Sequence, residues 1–292
     1  MKILLAGSGQ LAKELQPILL SIGEVIALDR TRLDLSQPES IRQVMAEVRP
    51  DLVINAAAYT AVDKAESEPE LAHAVNGIAP GIFAEECEKI GATLIHISTD
   101  YVFDGSSGLA YLETDNTNPL GTYGKSKLAG EEAIRKAGNR HIIIRTAWVY
   151  GNEGKGNFVK TMLRLGKERE EIRVVADQIG SPTWTKDLAE AISQLIPKIG
   201  PETCGTYQYT NSGVCSWYDF AIAIFEEADQ IGFPLKIQRV IPITTAEYPT
   251  PAKRPAFSVL STGKISAVLG AHPPHWRQGL RQMLAKELTV DS

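Results

Sequence analysis

Short, mostly apolar runs alternate with stretches of helical period through the first 150 residues, and this alternation constrains the fold more than any other feature. The runs ILLA, VIAL, LVIN and LIHI have the composition of strands buried on both faces of a parallel sheet. Strands that alternate with helices form βαβ units. The pattern predicts strands at Lys2–Ala6, Glu24–Leu28, Leu52–Asn55, Thr93–Ser98 and His141–Arg145, separated by helices at Gln10–Ile22, Pro38–Val48, Glu70–Ile90 and Ser126–Ala137. The predicted fold class is therefore α/β, with a doubly wound parallel sheet.

The regular alternation of strands and helices does not continue unchanged beyond residue 150. A helix is predicted at Thr185–Ile196 and a strand at Gly205–Thr210. This indicates that the chain returns to the sheet after an intervening segment that lies outside it. Prolines then become frequent, and Leu260–Leu269 has helical period. A chain of 292 residues is long enough for two modest domains. We expect a first domain from 1–150 plus about 183–212, and a smaller discontinuous one from about 151–182 plus 213–292.

Charge and cysteine content exclude several classes of protein. Lys plus Arg number 30 against 35 Asp plus Glu, and the net charge of −5 provides no broad basic surface for nucleic acid. The three cysteines form no C-x-x-C pair, which is typical of reduced cytosolic thiols. No window approaches the roughly 18 apolar residues of a transmembrane helix, and the opening apolar run is too short for a signal peptide. We expect a cytoplasmic protein that binds neither nucleic acid nor a membrane.

A glycine turn follows the first predicted strand and opens the first predicted helix. The segment Gly7-Ser8-Gly9-Gln10-Leu11-Ala12 fits the pattern G-x-G-x-x-G/A of dinucleotide-binding proteins. The first glycine permits the tight turn, the second lets the backbone approach a pyrophosphate, and a small third residue lets helix and strand pack closely. The N–H groups at the start of the helix then face the anion. We expect a nicotinamide dinucleotide here; a glycine turn without a ligand is the alternative.

Two residues at the end of the second strand bear on which dinucleotide is bound. Asp29 stands where an acid hydrogen-bonds the adenosine ribose of NAD, whereas Arg30 is suited to the 2′-phosphate of NADP. The pair is compatible with both, and we expect NADPH with NADH tolerated. Asp34 and Leu35 are placed to flank the adenine, although a plain turn also explains them.

The candidate catalytic residues are Tyr123, Lys127 and Thr99. Tyr123 and Lys127 are four positions apart and share a helix face, so the cation is expected to lower the pKa of the phenol and make it a general acid for a carbonyl. Thr99 follows the fourth strand at the carboxyl edge of the sheet, where open α/β folds bind ligands. We favour Thr99 over Ser98 as the hydroxyl that holds the substrate oxygen. Asp100 would orient the substrate or serve as a turn residue.

Six segments extend these signals over essentially the whole chain. They are NAAAYTAVDKAESEP (Asn55–Pro69), STDYVFDG (Ser98–Gly105), YGKSKLAGE (Tyr123–Glu131), RTAWVYG (Arg145–Gly151), DQIGSPTWTKDLA (Asp177–Ala189) and YPTPAKRPAFSVL (Tyr248–Leu260). With them the chain resembles the extended short-chain dehydrogenases/reductases, and within these the branch that completes dTDP-rhamnose. The resemblance implies NADPH-dependent reduction of the 4-keto group of dTDP-4-dehydro-β-L-rhamnose, the last step in making this activated sugar. It also implies a dinucleotide-binding Rossmann domain and a second domain for the sugar nucleotide.

The resemblance further implies roles for individual residues. Thr99, Tyr123 and Lys127 would be catalytic, with Tyr123 protonating the oxygen at sugar C4 and Lys127 donating to the nicotinamide ribose. Trp148 would pack against the deoxysugar, with core packing as the alternative. Arg254 would bind the substrate diphosphate, with a plain surface position as the alternative. The residues implied along the pyrophosphate and the cofactor cleft are Gly9, Gln10, Leu11, Ala58, Tyr59 and Thr60.

Two departures from the family's pattern affect these expectations. The glycine turn is one residue shorter than the usual G-x-x-G-x-x-G, which bears on the choice between NADP and NAD. Some members form Mg²⁺-bridged dimers through acidic side chains, one of them just after the PT of the SPT segment. Here Lys186 lies in that stretch and would oppose metal binding, and Glu14 alone does not make a site. We therefore expect no metal, and a monomer rather than a homodimer.

Two other functions are compatible with the sequence. The regulatory β subunit of methionine adenosyltransferase resembles this family and binds NADP, so a non-catalytic role is one alternative. A sugar-nucleotide epimerase or dehydratase on the same scaffold is the other. An epimerase recycles tightly bound NAD, whereas a reductase exchanges its cofactor at each turnover. The intact Thr99, Tyr123, Lys127 and Trp148 favour the reductase.

Overall fold

Six parallel strands form the sheet at the centre of the molecule. The computed structural model describes residues 1–154 and 156–290, the last four as backbone. The strands in chain order are β1 (Lys2–Ala6), β2 (Glu24–Leu28), β3 (Leu52–Asn55), β4 (Thr93–Thr99), β5 (His141–Thr146), β6 (Val149–Tyr150), β7 (Glu171–Val175), β8 (Ile179–Gly180), β9 (Thr183–Trp184), β10 (Gly205–Gln208), β11 (Cys215–Ser216) and β12 (Arg239–Ile243). The spatial order of the central sheet is β10-β5-β4-β3-β1-β2, and the remaining strands form two-stranded pairs.

Helices cover both faces of this sheet and build the rest of the molecule. In chain order they are α1 (Gln10–Leu19), α2 (Pro38–Val48), α3 (Val62–Ala65), α4 (Pro69–His73), α5 (Ala79–Ile90), α6 (Thr122–Ala137), α7 (Phe158–Glu168), α8 (Thr185–Leu195), α9 (Trp217–Gln230), α10 (Gly263–Leu269) and α11 (Trp276–Val290). Across the described ranges, none of them combines the length and the apolar composition that crossing a membrane requires.

Two predicted helices differ from the observed ones in ways that affect the site. The helix predicted at Glu70–Ile90 consists of α4, a π turn at Ala74–Ile78, and α5. The helix predicted at Ser126–Ala137 begins earlier, at Thr122, which places Tyr123 in its first turn. At the start of α6 the Glu66 carboxylate accepts from the backbone nitrogen of Thr122, a contact from elsewhere in the fold that satisfies a free helix donor.

The strand order reverses at β1. The chain passes from β1 to β2 on one side, then places β3 on the other side and continues outward through β4, β5 and β10. Every pairing in this sheet is parallel. A crevice opens outside the carboxyl ends of the strands at such a reversal. The predicted doubly wound α/β fold is confirmed.

Side chains of the strands point alternately into two apolar cores, one on each face of the sheet. In β1, Ile3 and Leu5 belong to the core beneath α1 and α8, whereas Leu4 belongs to the core beneath α2 and α5. All three are fully buried. Each such side chain contributes about 1.5–3 kcal/mol by leaving water. The apolar runs in the sequence are therefore continuous because both faces of each central strand are covered.

A third apolar core lies beyond the sheet and is built by α7, α9 and α11 together with β7 and β9. Val159, Phe220 and Leu280 are fully buried in it. In contrast, α10 packs on the sheet, since Ile265 is buried in the same core as α8. The predicted boundaries between the two domains stay a prediction.

Candidate active site

A cleft of ≈ 630 Å³ opens at the carboxyl edge of the sheet, beside the reversal at β1. It is bounded by the ends of β1 to β4 and by the starts of α1 and α6. All but one of the predicted site residues line it: Gly7, Gly9, Gln10, Leu11, Asp29, Arg30, Asp34, Leu35, Ala58, Tyr59, Thr60, Thr99, Asp100, Tyr123, Lys127 and Trp148. The exception is Arg254.

The glycine turn between β1 and α1 leaves room for a phosphate group. Gly7 has a φ of +119°, and a Cβ there would lie 3.1 Å from the backbone nitrogen of Ala57. Gly9 faces open space, since no atom lies within 4 Å of the position its Cβ would take. Gly9 stands at the N-cap of α1 and has no side chain that could cap the helix, so the first N–H groups and the positive end of the helix dipole are available to an anion. This turn fits a dinucleotide diphosphate.

The end of β2 presents one acidic and one basic side chain, Asp29 and Arg30, to the cleft. One oxygen of Asp29 accepts hydrogen bonds from the hydroxyl of Thr31 at 2.6 Å and from its backbone nitrogen at 3.0 Å. These bonds lower the pKa of Asp29 and keep it ionised at neutral pH. Arg30 is exposed, with its Nε 4.0 Å from Asp34. A carboxylate suited to ribose hydroxyls thus stands next to a guanidinium suited to a 2′-phosphate.

Asp34 and Leu35 line the cleft and also serve the local structure. The Oδ1 of Asp34 accepts hydrogen bonds from the nitrogen and the hydroxyl of Ser36, at 2.9 and 2.7 Å. Leu35 is buried in the core beneath α2. The turn expected as the alternative is therefore present, and the adenine contact stays a prediction.

Asn76 holds the wall of the cleft after β3, and sequence reasoning missed it. Its Oδ1 accepts from the backbone nitrogen of Tyr59 at 2.9 Å, and its Nδ2 donates to the Tyr59 carbonyl at 3.0 Å. The same Nδ2 lies 3.1 Å from the hydroxyl of Ser126 on α6. The signal available in the sequence is a polar residue within the apolar helical run AVNGIA, because a buried amide needs partners.

Tyr123 and Thr99 meet in the cleft. The helix α6 begins at Thr122, one residue before Tyr123, and the backbone nitrogen of Thr122 donates to Glu66 at 2.7 Å. The side chains of Tyr123 and Thr99 line the same cleft. Burial raises the pKa of Tyr123 to about 12; the neighbouring Thr99 opposes this rise, and the charge of Asp100 adds to it.

Lys127 directs its amine toward β4. Its Nζ donates to the carbonyl of Ile97 at 2.6 Å and lies 3.1 Å from the Nε2 of His96. Burial lowers the pKa of Lys127 to about 8, and the Glu131 carboxylate acts in the opposite direction. The expectation that Lys127 lowers the pKa of Tyr123 is wrong for this structure, because burial dominates at the phenol and the amine is engaged by β4.

A buried ion cluster lies beneath these residues. Glu131 of α6 is fully buried and accepts hydrogen bonds from Ser98 at 2.6 Å and from Arg145 at 2.7 Å. A third donor, Arg135, lies at 2.6 Å. Burial acts to raise the pKa of Glu131, but the hydrogen bonds and charges of its partners, that of Arg145 foremost, lower it overall. The cluster ties the helix of Tyr123 to β4 and β5.

Asp100 offers an unsatisfied acceptor. It is 2% exposed, and its Oδ1 accepts from the Thr99 hydroxyl at 3.0 Å. Its Oδ2 has no hydrogen-bond partner within the part of the chain that the structure describes. Burial raises the pKa of Asp100 to about 6, whereas its polar neighbours Ser258 and Thr99 act to lower it. A buried acceptor of this kind suits a ligand hydroxyl.

Trp148 is held between two neighbours that sequence reasoning did not single out. Its ring stacks on Trp217 with 3.6 Å between centroids, and a Cβ on Gly180 would lie 2.6 Å from its Cε2. Its backbone φ of +49° is uncommon for a non-glycine residue. Such conformations persist where the surrounding structure enforces them, often at functional sites. The predicted contact with a deoxysugar stays a prediction.

Arg254 is engaged by Asp63 of α3. Its Nη2 lies 2.8 Å from the Asp63 Oδ2, and its Nη1 donates to the Oδ1 of the same carboxylate at 3.1 Å. The hydrogen bond from Arg254 lowers the pKa of Asp63. Asp63 also accepts from the backbone nitrogen of Ala252 at 3.2 Å. The diphosphate role of Arg254 stays a prediction.

Lys186 lies beside a carboxylate and an aromatic ring. Its Nζ lies 3.6 Å from Glu190 and 5.6 Å from the ring centroid of Trp184. Within residues 1–154 and 156–286, no group of three or more His, Cys, Asp or Glu side chains could hold a metal ion. The expectations of no metal and of a monomer stay predictions.

Known proteins resemble this chain over its whole length. The family model of the RmlD substrate binding domain matches residues 1–289. The dTDP-4-dehydrorhamnose reductase of Escherichia coli K12 is 44% identical over 99% of this chain and 99% of its own. The spore coat polysaccharide biosynthesis protein SpsK of Bacillus subtilis is 46% identical over 97% of this chain and 96% of its own.

Solved structures agree with these matches. A dTDP-4-dehydrorhamnose reductase from Clostridium acetobutylicum superposes with a TM-score of 0.91 at 40% identity, covering 98% of this chain and 99% of its own. The enzyme of that name from Bacillus anthracis, in complex with NADP, gives 0.90 at 41% identity over the same shares. The expected resemblance is confirmed: the chain belongs to the RmlD family of dTDP-4-dehydrorhamnose reductases, NADPH-dependent oxidoreductases with a Rossmann-like fold.

Proposed function

We propose that this chain reduces the 4-keto group of dTDP-4-dehydro-β-L-rhamnose with NADPH and forms dTDP-β-L-rhamnose. The observation that carries the proposal is that Tyr123, Thr99 and Lys127 line one cleft at the carboxyl edge of the sheet. A phenol and a hydroxyl that converge in this way are suited to hold and protonate a carbonyl oxygen. Relatives named for this reaction, such as the one from Escherichia coli, support the choice of substrate.

The side of the cleft formed by the ends of β1 and β2 and the start of α1 offers groups suited to NADPH. Gly7, Gly9 and the start of α1 would hold its diphosphate, because the turn leaves space and the helix supplies N–H groups. Asp29 and Arg30 would contact the adenosine ribose and its 2′-phosphate. The segment 58–60, fixed by a buried amide, would form the opposite wall. When bound, NADPH supplies the hydride that reduces the carbonyl.

Tyr123 is placed to act as the general acid. Because burial raises its pKa to about 12, the phenol stays protonated at neutral pH and has a proton to give. The oxygen of a reduced carbonyl becomes an alkoxide, a stronger base than tyrosinate, and would take this proton. The Thr99 hydroxyl, which donates to Asp100 at 3.0 Å in this structure, would turn its single proton toward the tyrosinate that remains. Lys127 would orient the nicotinamide ribose.

The sugar nucleotide would occupy the open side of the cleft. The unpaired Oδ2 of Asp100 would accept from a sugar hydroxyl, and Trp148 would cover the apolar face of the deoxysugar. Arg254 would bind the diphosphate, since a guanidinium matches phosphate oxygens.

Consumption of NADPH tests the proposal. The substrate is generated in the cuvette from dTDP-glucose by the two enzymes that precede this reaction, and NADH is run alongside. We expect absorbance loss that depends on every component. No loss, with NADPH still bound by fluorescence, would contradict the proposal and favour a non-catalytic role. Nicotinamide retained through purification would favour an epimerase.

A cytoplasmic monomer completes the proposal. The thiols of Cys87, Cys204 and Cys215 are free, as the reducing cytoplasm would keep them. Light scattering of the purified protein should give the mass of one chain, and twice that mass would contradict the monomer.

A further inference from the structure

The helix that carries Tyr123 starts on a residue that cannot cap it. Gly121 stands at the N-cap of α6 with a φ of −120°, the extended backbone usual at that position, but it has no side chain that could accept from the first N–H groups. Its carbonyl accepts the first bond of the helix, from the nitrogen of Lys125 at 3.0 Å. The earlier N–H groups of the turn have to find an acceptor outside the helix.

Glu66, at the end of α3, supplies such an acceptor. Its Oε1 accepts from the backbone nitrogen of Thr122 at 2.7 Å, and its Oε2 accepts from the Thr122 hydroxyl at 2.9 Å. A carboxylate at this end of a helix also interacts favourably with the helix dipole. A Cβ on Gly121 would lie 2.7 Å from the same Oε1, so the glycine leaves room for the carboxylate. A residue 56 positions away thus caps α6 from outside the helix.

The segment that carries Glu66 is anchored, although the glutamate itself is exposed. Ala65, the residue before it, is fully buried. At the other end of α3, the Oδ2 of Asp63 lies 2.8 Å from the Nη2 of Arg254. An exposed carboxylate usually contributes little, because a long side chain loses entropy when it is held in one place. Two bonds to one residue and a fixed backbone give this carboxylate a defined position.

The turn that Glu66 caps is the turn that carries the phenol. Tyr123 directly follows Thr122, and its ring packs edge-on against Tyr101 with 5.5 Å between centroids. A Cβ on Gly124 would collide with the carbonyl oxygen of Tyr101, so this turn lies directly against the segment after β4. Packing therefore supports the turn on one side, and Glu66 holds its first N–H group. Fraying of the turn would move the phenol, and a displacement of about 1 Å can slow catalysis severely.

We propose that Glu66 is a positioning residue that caps α6 in place of Gly121 and thereby holds Tyr123 in the cleft. Glu66 is not among the residues that line the cleft, so it acts through the start of the helix. The effect on turnover rests on the proposed function, whereas the effect on the helix does not.

Amide hydrogen exchange at Lys125 tests the cap without any assay of turnover. This amide closes the first turn of α6, so its exchange reports how often the turn opens. We expect exchange about 3- to 30-fold faster in Glu66→Ala, the usual contribution of an N-cap expressed as a rate ratio. The matched control is Glu132→Ala, which removes an exposed glutamate from the same helix and should leave this rate unchanged. An unchanged rate in Glu66→Ala would overturn the proposal.

Glu66→Gln separates the hydrogen bonds from the charge. Its amide oxygen still accepts from the Thr122 nitrogen, and its NH₂ group can donate to the Thr122 hydroxyl. We expect exchange at Lys125 within about three-fold of the wild-type rate, because the cap is retained. Equal acceleration in Glu66→Gln and Glu66→Ala would assign the effect to the charge alone and overturn the proposal.

A cap moved onto residue 121 tests whether capping is the cause. In the Glu66→Ala background, Gly121→Ser would place a hydroxyl where it can accept from the N–H of Tyr123 or Gly124, the second and third helical residues. Gly121→Ala adds a Cβ at the same place without an acceptor. The serine should restore slow exchange at Lys125 and the alanine should not. Equal rates in these two double variants would overturn the proposal.

Turnover separates this proposal from the proposed function. In an active reductase, Glu66→Ala should lower kcat by about three-fold or more with an unchanged affinity for NADPH, and Gly121→Ser should restore kcat in that background. An unchanged kcat beside faster exchange at Lys125 would overturn the positioning of Tyr123. A wild-type protein without reductase activity, in which Lys125 responds as expected, would remove the proposed function and leave Glu66 as the cap of α6.

Discussion

At the scale of the residue, the proposed chemistry depends on the phenol of Tyr123. The change Tyr123→Phe removes the proton donor but keeps the ring that packs edge-on against Tyr101, with 5.5 Å between centroids. We expect kcat to fall by about 10²- to 10⁴-fold, the usual contribution of a general acid. The affinity for NADPH, measured by fluorescence, should stay the same.

A matched control for Tyr123→Phe is Tyr207→Phe. Tyr207 is buried in β10, and its hydroxyl donates to the Thr203 carbonyl at 2.9 Å, outside the cleft. This variant should turn over like the wild type. Equal rates for the two variants would remove Tyr123 from the mechanism.

At the scale of the element, α6 is held against the sheet by the carboxylate of Glu131. Glu131→Gln leaves the buried guanidinium of Arg145 without its counter-charge, and breaking a buried ion pair from one side costs about 3–5 kcal/mol. Urea unfolding should show a loss of this size. Arg135→Gln removes the partly exposed partner of the same carboxylate and should cost less than about 1 kcal/mol.

The same carboxylate makes the stability of α6 depend on pH. The folded-state pKa of Glu131 lies below the value of 4.5 expected when unfolded, so its contribution is fully present above that pH. The contribution is lost as the pH falls through the folded-state pKa. Acid titration of stability should therefore bring the wild type toward Glu131→Gln, and curves that stay parallel would disprove this contribution.

At the scale of the whole molecule, the ion pair of Asp63 and Arg254 joins α3 to a segment 191 residues further along the chain. Arg254→Ala should raise the KM for the sugar nucleotide by about 10-fold or more. The variant removes the proposed contact between the guanidinium and the diphosphate, and losing one partner of such a charge pair costs about 2 kcal/mol or more. Asp63→Asn leaves the guanidinium in place and should change that KM by less than about two-fold, as expected for a weak, partly exposed pair. Equal increases in both variants would assign Arg254 to the contact with Asp63 alone.

Much of the fold and the outline of the cleft follow from local sequence. The strands β1 to β5 and the helix α2 lie where the apolar period predicts them, because the period of a run shows which of its faces are buried. The glycine turn and the pair of Tyr123 and Lys127 lie in one cleft, because the carboxyl ends of parallel strands meet at one edge of the sheet. The sequence by itself thus determined the α/β fold, the glycine turn and the candidate catalytic residues.

Only the tertiary structure decided what each side chain contacts. Asn55 meets His96 across 41 positions, and Asn76 meets Tyr59 and Ser126 from a π turn, contacts that no local period encodes. The prediction from spacing that the pKa of Tyr123 is lowered is wrong, because spacing predicts a neighbouring cation but not the burial that raises this pKa. Local sequence determines which elements form, whereas burial and hydrogen-bond partners arise only when distant segments pack together.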